Sequence, residues 1–167
     1  VGGYDNKVFK LNKSDLTKVT ESIDFGGAIH SIASDDNYIY AGGRAGYGSN
    51  NKVFKLNKSD LSKVAESVAY DGGIYSIASD NKYLYVGGSD KKVFKLYKGA
   101  SLKLKEVHEF RFLAESIDMG GNGSIIYTIA SDDNYLYVGG NDKQIFKLCK
   151  SDLSKVAESI VFQSFIE

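Results

Sequence analysis

Residues 74–96 read IYSIASDNKYLYVGGSDKKVFKL. Three short runs rich in Ile, Tyr, Val and Phe are separated by Asp-Asn-Lys and Gly-Gly-Ser-Asp, residue types that tolerate left-handed backbone or bond their own main chain. The spacing predicts strands at residues 74–79, 83–86 and 92–96. The stretch is also not unique. Its first half returns from Ile29 as IHSIASDDNYIYAGG and from Ile126 as IYTIASDDNYLYVGG, and the chain opens on VGG, the tail of the same phrase. Its second half returns at residues 6–22 (NKVFKLNKSDLTKVTES) and 51–67 (NKVFKLNKSDLSKVAES), which differ at two of 17 positions, and at 143–159 (KQIFKLCKSDLSKVAES). Such repetition governs every later reading of the chain.

The phenylalanines of the VFKL/IFKL phrase, Phe9, Phe54, Phe94 and Phe146, lie 45, 40 and 52 residues apart. The period is therefore about 40 residues, lengthened by insertions at 44–49 (RAGYGS), between Lys98 and Ser116, and around 120–124. Irregular insertions argue against an idealised design. A fourth strand follows the Lys-Ser-Asp-Leu turn, where Val19, Glu21, Ile23 and Phe25 alternate with Lys18, Thr20, Ser22 and Asp24; V-x-E-x-[IV]-x-[FY] recurs at 64–70 and 156–162. Period two marks a strand, since a helix spaces its apolar residues by three and four.

Four short strands per unit of about 40 residues predict an all-β fold, a β-propeller of four-stranded antiparallel blades. The blades are residues 1–25 (partial), 26–70, 71–118 and 119–167, so three complete repeats follow one partial N-terminal repeat. A β-solenoid is the runner-up. YLYVGGxDKKVFKL resembles the YVGSxDGxLYALD stretch of pyrroloquinoline-quinone-type propeller repeats and, more loosely, is similar to the core of WD repeats. The Gly-His and Trp-Asp pairs of WD repeats are missing. For the quinoprotein dehydrogenases the resemblance implies a Trp stacked on the quinone, adjacent cysteines in a disulfide, and a calcium site. With no Trp and one Cys, this chain matches the blade and not the enzyme.

Composition narrows the function further. Lys+Arg and Asp+Glu are both 21, so there is no general electrostatic attraction to nucleic acid or to an anionic membrane. No apolar run approaches the roughly 18 residues of a spanning helix. The single Cys149 excludes an internal disulfide framework and a multi-Cys metal site. It takes the place of Asn12, Asn57 and Tyr97, a tolerant turn-proximal position. His30 stands where other copies have Tyr75 and Tyr127 and reads as a packed side chain of the first strand, while His108 falls in the inserted LKLKEVHEFRF stretch and reads as solvated. No metal ligand set and no cofactor motif is recognised.

Asp35, Asp80 and Asp132 recur in the first turn of each complete unit, and Asp90 and Asp142 follow Gly-Gly. Clustered carboxylates suit calcium or sugar hydroxyls, but recurrence in every unit favours bonding to the adjacent turn amides. Strand direction alternates, so the insertions at 44–49 and 120–124 decorate one face. Arg44, Tyr47 and Asn122 on it are the candidate ligand contacts. Asn12, Asn57 and Asn122 each begin an Asn-x-Ser sequon in a turn, which makes them candidate glycosylation sites if the chain is secreted.

The leading expectation is a non-enzymatic scaffold or structural assembly module: a subunit of an extracellular fibre or of a multi-chain ring, with an extracellular setting favoured. The alternative is a lectin-like, glycan-recognising propeller using the inserted-loop face; an enzyme ranks last, since no nucleophile–base pair is assembled. Val1-Gly2-Gly3 begins late in a second strand, and Ser164-Phe165-Ile166-Glu167 leads towards another first strand. The sequence thus reads as a processed or partial chain whose interrupted blade exposes an unpaired edge. Self-association, or a neighbouring subunit completing that blade, is the expected partnership.

Overall fold

A computed structural model describes residues 1–45, 51–99, 111–121 and 124–163. Its strands are β1 (Phe9–Leu11), β2 (Lys18–Glu21), β3 (Gly27–Ser34), β4 (Tyr38–Ala45), β5 (Val53–Asn57), β6 (Lys63–Glu66), β7 (Ile74–Ser79), β8 (Tyr83–Gly88), β9 (Val93–Tyr97), β10 (Arg111–Glu115), β11 (Ile126–Ser131), β12 (Tyr135–Gly140), β13 (Ile145–Cys149) and β14 (Lys155–Glu158). They form a two-stranded first sheet, β1–β2, and three four-stranded antiparallel sheets, β3–β6, β7–β10 and β11–β14, each a simple meander. The first strands of successive sheets pack on one another, β3 on β7 and β7 on β11. The sheets therefore converge along these strands, and β2, β6, β10 and β14 form the outer rim.

Each hydrophobic core lies between two sheets. Val8 of the first sheet clusters with Ile29, Ala41, Leu56 and Leu61 of the second. Tyr40, Val53 and Tyr70 of the second cluster with Ile74, Ile77, Leu84, Val86 and Leu96 of the third. Tyr85 and Val93 of the third cluster with Met119, Ile126 and residues of the fourth. Glycine at the end of the second strand permits this approach. A Cβ on Gly42 would stand 2.9 Å from Ile74 Cγ2, and one on Gly87 2.6 Å from Ile126 Cγ2, both closer than carbon atoms pack.

Two local features differ from the sequence reading. The rim strands stop at Glu21, Glu66, Glu115 and Glu158 instead of running on through seven alternating residues. The serine that follows ends the ladder. Ser67 Oγ accepts from Val53 N at 2.9 Å and donates to the Val68 carbonyl at 2.7 Å, and Ser22, Ser116 and Ser159 repeat the pair. The apolar residues beyond it, Ile23, Val68, Ile117 and Ile160, face solvent, at 44% exposure or more. The second feature is a bulge in each first strand, at Ile29/Ser31, Ile74/Ser76 and Ile126/Thr128. The extra residue is His30, Tyr75 or Tyr127, and the bulge turns it off the pairing line.

The Lys-Ser-Asp-Leu turn is closed by its own residues. Asp60 Oδ1 accepts from Ser62 N (2.9 Å) and Oγ (2.7 Å), and Leu61 N donates to Asn57 O at 2.9 Å. Leu16, Leu61 and Leu153 take φ of 59°, 64° and 62° there. Left-handed backbone costs a bulky residue about 1–2 kcal/mol, and burying a leucine contributes about 2 kcal/mol in return.

Candidate functional site

The most elaborate chemistry in the molecule is the joint between sheets. The A–B turn aspartate anchors it. Asp35 accepts from Asn37 N and Tyr38 N through Oδ1 and from the Tyr40 hydroxyl through Oδ2 (2.7 Å); Asp80 and Asp132 make the same three bonds with their own turns and with Tyr85 and Tyr137. The recurring carboxylates are thus consumed by turn amides and a tyrosine. A lysine of the following sheet completes two of the three sets: Lys98 Nζ lies 2.9 Å from Asp35 Oδ2, and Lys150 Nζ 3.7 Å from Asp80 Oδ2. Burial raises the cost of ionising Asp35, but the bonds from Tyr40, Lys98 and the turn amides outweigh it and hold the carboxyl far below the usual range. Burial, and then the same aspartate, push the Tyr40 hydroxyl far up.

A second lysine makes the joint directional. In the middle of the third strand, Lys10 Nζ reaches Lys58 O (3.2 Å) and Ser59 O (2.8 Å) of the next sheet, Lys55 reaches Lys98 O (3.1 Å), and Lys95 reaches Lys150 O (2.6 Å) and Ser151 O (3.1 Å). Two of the three are steadied over a tyrosine of their own sheet, Lys55 at 4.0 Å from the Tyr38 ring and Lys95 at 4.3 Å from Tyr83. An aromatic contact joins the opposite side: Phe25 stacks on Phe54 at 4.3 Å, Tyr70 meets Phe94 at 4.8 Å, and Met119 shares a core with Phe146. Finally, the turn leucine of one sheet is sealed by the sheet before it, Leu61 and Leu153 being 1% exposed each.

The two outer faces of this chain carry the same parts without a neighbour among the described residues. Leu16 is 70% exposed. On the fourth sheet, Lys147 already sits 3.8 Å over the Tyr135 ring, Asp132 holds the Tyr137 hydroxyl at 2.8 Å, and Phe162 is pinned by its N–H to Lys143 O at 2.7 Å while the residue stays 39% exposed.

The inserted-loop face bears a different feature. The three bulged residues form a row with Tyr4, in the order Tyr4–His30–Tyr75–Tyr127, with ring centroids 6.0, 5.0 and 5.8 Å apart. His30 is exposed and stacked on Tyr75, not packed inside as its strand position predicts. Partial desolvation and the nearby Arg44 lower its pKa. Arg44, exposed on β4, pairs across to Ala28 and packs its stem on Gly73 of the next sheet, which brings it to this row. Tyr47, Asn122 and His108 lie outside the described residues. Asn12 and Asn57 are on the opposite face, where their Nδ2 atoms donate to Thr17 Oγ1 (2.8 Å) and Ser62 Oγ (2.7 Å). Three-quarters of the aromatic row was visible in the sequence as aligned His and Tyr; the bulge that unites it was not.

Among the described residues no cluster of three His, Cys, Asp or Glu has metal-binding geometry. Cys149 Sγ lies 3.1 Å from Ser151 Oγ, and that bond lowers its thiol pKa. A cleft of about 370 Å³ between the second and third sheets is lined by Tyr70, Asp71, Asp90, Lys92, Phe94 and Phe112. Burial, then Asp71, raises the Asp90 pKa there.

No protein-family model matches the chain, and no curated protein matches it in sequence. Its backbone is nonetheless similar to solved structures. The computationally designed protein Ika8 matches over 99% of this chain and 46% of its own, with TM-score 0.77 and 16% identity. The computationally designed protein Ika4 matches over 89% of this chain and 82% of its own, with TM-score 0.69 and 15% identity. A chain of a mitotic checkpoint complex matches over 98% and 48%, with TM-score 0.78 and 16% identity. The fold is a β-propeller. Within it the likeness does not single out the pyrroloquinoline-quinone repeat type, and the chain spans about half the length of the Ika8 and checkpoint chains.

Proposed function

We propose that the chain is a non-enzymatic propeller module whose role is assembly, its end blades joining to further blades outside the chain. One observation carries this reading. Leu61 and Leu153 are 1% exposed and Leu16 is 70% exposed, although all three occupy the same turn with the same left-handed backbone. Among the described residues, Leu61 and Leu153 have a neighbouring sheet over them and Leu16 has none. A leucine held in a costly conformation and left in water is a contact surface awaiting a partner, and covering it contributes about 1.5–3 kcal/mol. Light scattering on the purified chain tests the reading: a mass well above 18.3 kDa is expected, and a monomer across the whole dilution series overturns it.

The aromatic row favours a second reading, a glycan-binding face. Ring faces accept sugar C–H surfaces, and Arg44 beside them offers hydrogen-bond donors to hydroxyl or acidic groups. Saturable sugar binding that is lost in Tyr75→Ala supports it; no binding across a broad glycan array removes it. The Asn12, Asn57 and Asn122 sequons belong with an extracellular setting, and mass spectrometry of the secreted protein reads their use directly.

A further inference from the structure

The assembly reading above leaves open what covers the end faces and in which register. We infer that the occupant is a second copy of this chain, docked head-to-tail so that its first sheet follows the fourth sheet of the copy before it.

The missing half of each end joint is present at the opposite end of the chain. In the two joints that follow a four-stranded sheet, the Asp of one sheet meets the Lys that follows the third strand of the next: Asp35 with Lys98, Asp80 with Lys150. Asp132 ends that series on the fourth sheet. Lys13 is the residue of the first sheet at the position of Lys98 and Lys150. The mid-strand lysine meets carbonyls of the next Lys-Ser turn, Lys10 with Lys58 and Ser59, Lys95 with Lys150 and Ser151. Lys147 is the member with no such turn against it among the described residues, and the first sheet of the second copy supplies Lys13 and Ser14 at that place. The aromatic contact continues likewise, from Phe25–Phe54 and Tyr70–Phe94 to Phe162 against Phe9. Leu16 then enters the fourth sheet as Leu61 enters the first and Leu153 the third.

Preorganisation supports the register. Lys147 is over Tyr135, Asp132 is bonded to Tyr137, and Phe162 is tied to Lys143 O, as their counterparts are inside the molecule, so no side chain has to be rebuilt on docking. The contact is heterologous, because the lysine-donating and carbonyl-accepting faces differ. A face-to-face pair would set Asp132 against Asp132 and leave both Lys13 side chains unmatched. A ring and an open filament use the same joint.

Charge exchange tests the register separately from assembly. Lys13→Asp and Asp132→Lys are made as single variants, together with Leu16→Asp, and masses are read by light scattering alongside circular dichroism. Each variant alone is expected to dissociate at least about tenfold more readily than the wild type while keeping its β spectrum. Mixing Lys13→Asp with Asp132→Lys restores the wild-type mass, since one joint is then charge-reversed and the other unaltered. Lys13 and Leu16 are exposed, so those two variants carry the test if Asp132→Lys fails to fold. A wild type that is always monomeric overturns the assembly reading itself. An assembled wild type that is indifferent to all three substitutions overturns this register and leaves assembly standing.

Discussion

Replacing Ser67 by alanine should cost far more than its size suggests. The residue is 0% exposed; its hydroxyl accepts from Val53 N at 2.9 Å and donates to Val68 O at 2.7 Å, while its own N–H donates to Val53 O at 2.9 Å. Alanine keeps the backbone bond and removes the acceptor of Val53, which is itself 0% exposed and out of reach of water. An unsatisfied buried N–H costs about 1–3 kcal/mol; the Val68 carbonyl lies at a residue 44% exposed and finds water instead, so the expected loss is about 2 kcal/mol. Ser159 makes the same pair with Ile145 N at 2.9 Å, but on the open fourth sheet, where it is only partly buried. Ser159→Ala should therefore cost less than about 1 kcal/mol, because water replaces the acceptor. Urea unfolding at dilutions where the chain is a single copy gives both values, and hydrogen exchange at the Val53 amide localises the first. Exchange matters here because repeat arrays can unfold in parts. Equal midpoint shifts for the two variants would refute the reasoning, since burial is what separates them.

Leu61→Ala should destabilise a single copy by about 2–5 kcal/mol and Leu16→Ala by less than about 0.5 kcal/mol, measured by chemical unfolding, since one side chain fills a core and the other does not. Gly88→Ala should disrupt the third sheet by about 3 kcal/mol or more, because its Cβ would fall on the Gly73 carbonyl, whereas Gly3→Ala, with nothing within 4 Å, should be nearly silent in a melt. Asp35 has a folded pKa below its unfolded value, so it adds stability above about pH 4 that is lost as pH falls through the folded pKa. Asp35→Asn should therefore flatten the acid limb of a stability–pH curve, and an unchanged limb would remove Asp35 from the account.

Most of the architecture was legible in the repeat. Strand starts at Ile74, Tyr83 and Tyr135, and the turns between them, follow from Asp, Asn and Gly placed between short apolar runs. The rim strands were overread, because Val19, Ile23 and Val68 alternate as a half-buried strand would. Their period is real, but Ser22 and Ser67 cap the ladder before Ile23 and Val68, which stand 55% and 44% exposed. Alternation reports backbone geometry; burial needs a neighbour. The bulges at His30, Tyr75 and Tyr127 left no mark, since an inserted residue is defined by its partner strand and not by its own identity. The joint was half visible: the aspartates were assigned to their turns, but Lys98 and Lys150 lie 63 and 70 residues away, and only the packing of successive sheets brings them together.

The forward reach of Lys10, Lys55 and Lys95 gives the molecule a sense of travel, like the arrow on a one-way street. Every unit gives with one side and receives with the other, so a chain lengthened or shortened by one whole unit still offers the same pair of ends. Unit number is then free to change without redesigning any contact, and what limits it is the angle between neighbouring sheets. A lineage that copies such a unit inherits a working junction with each copy, which fits two phrases that differ at only two of 17 positions.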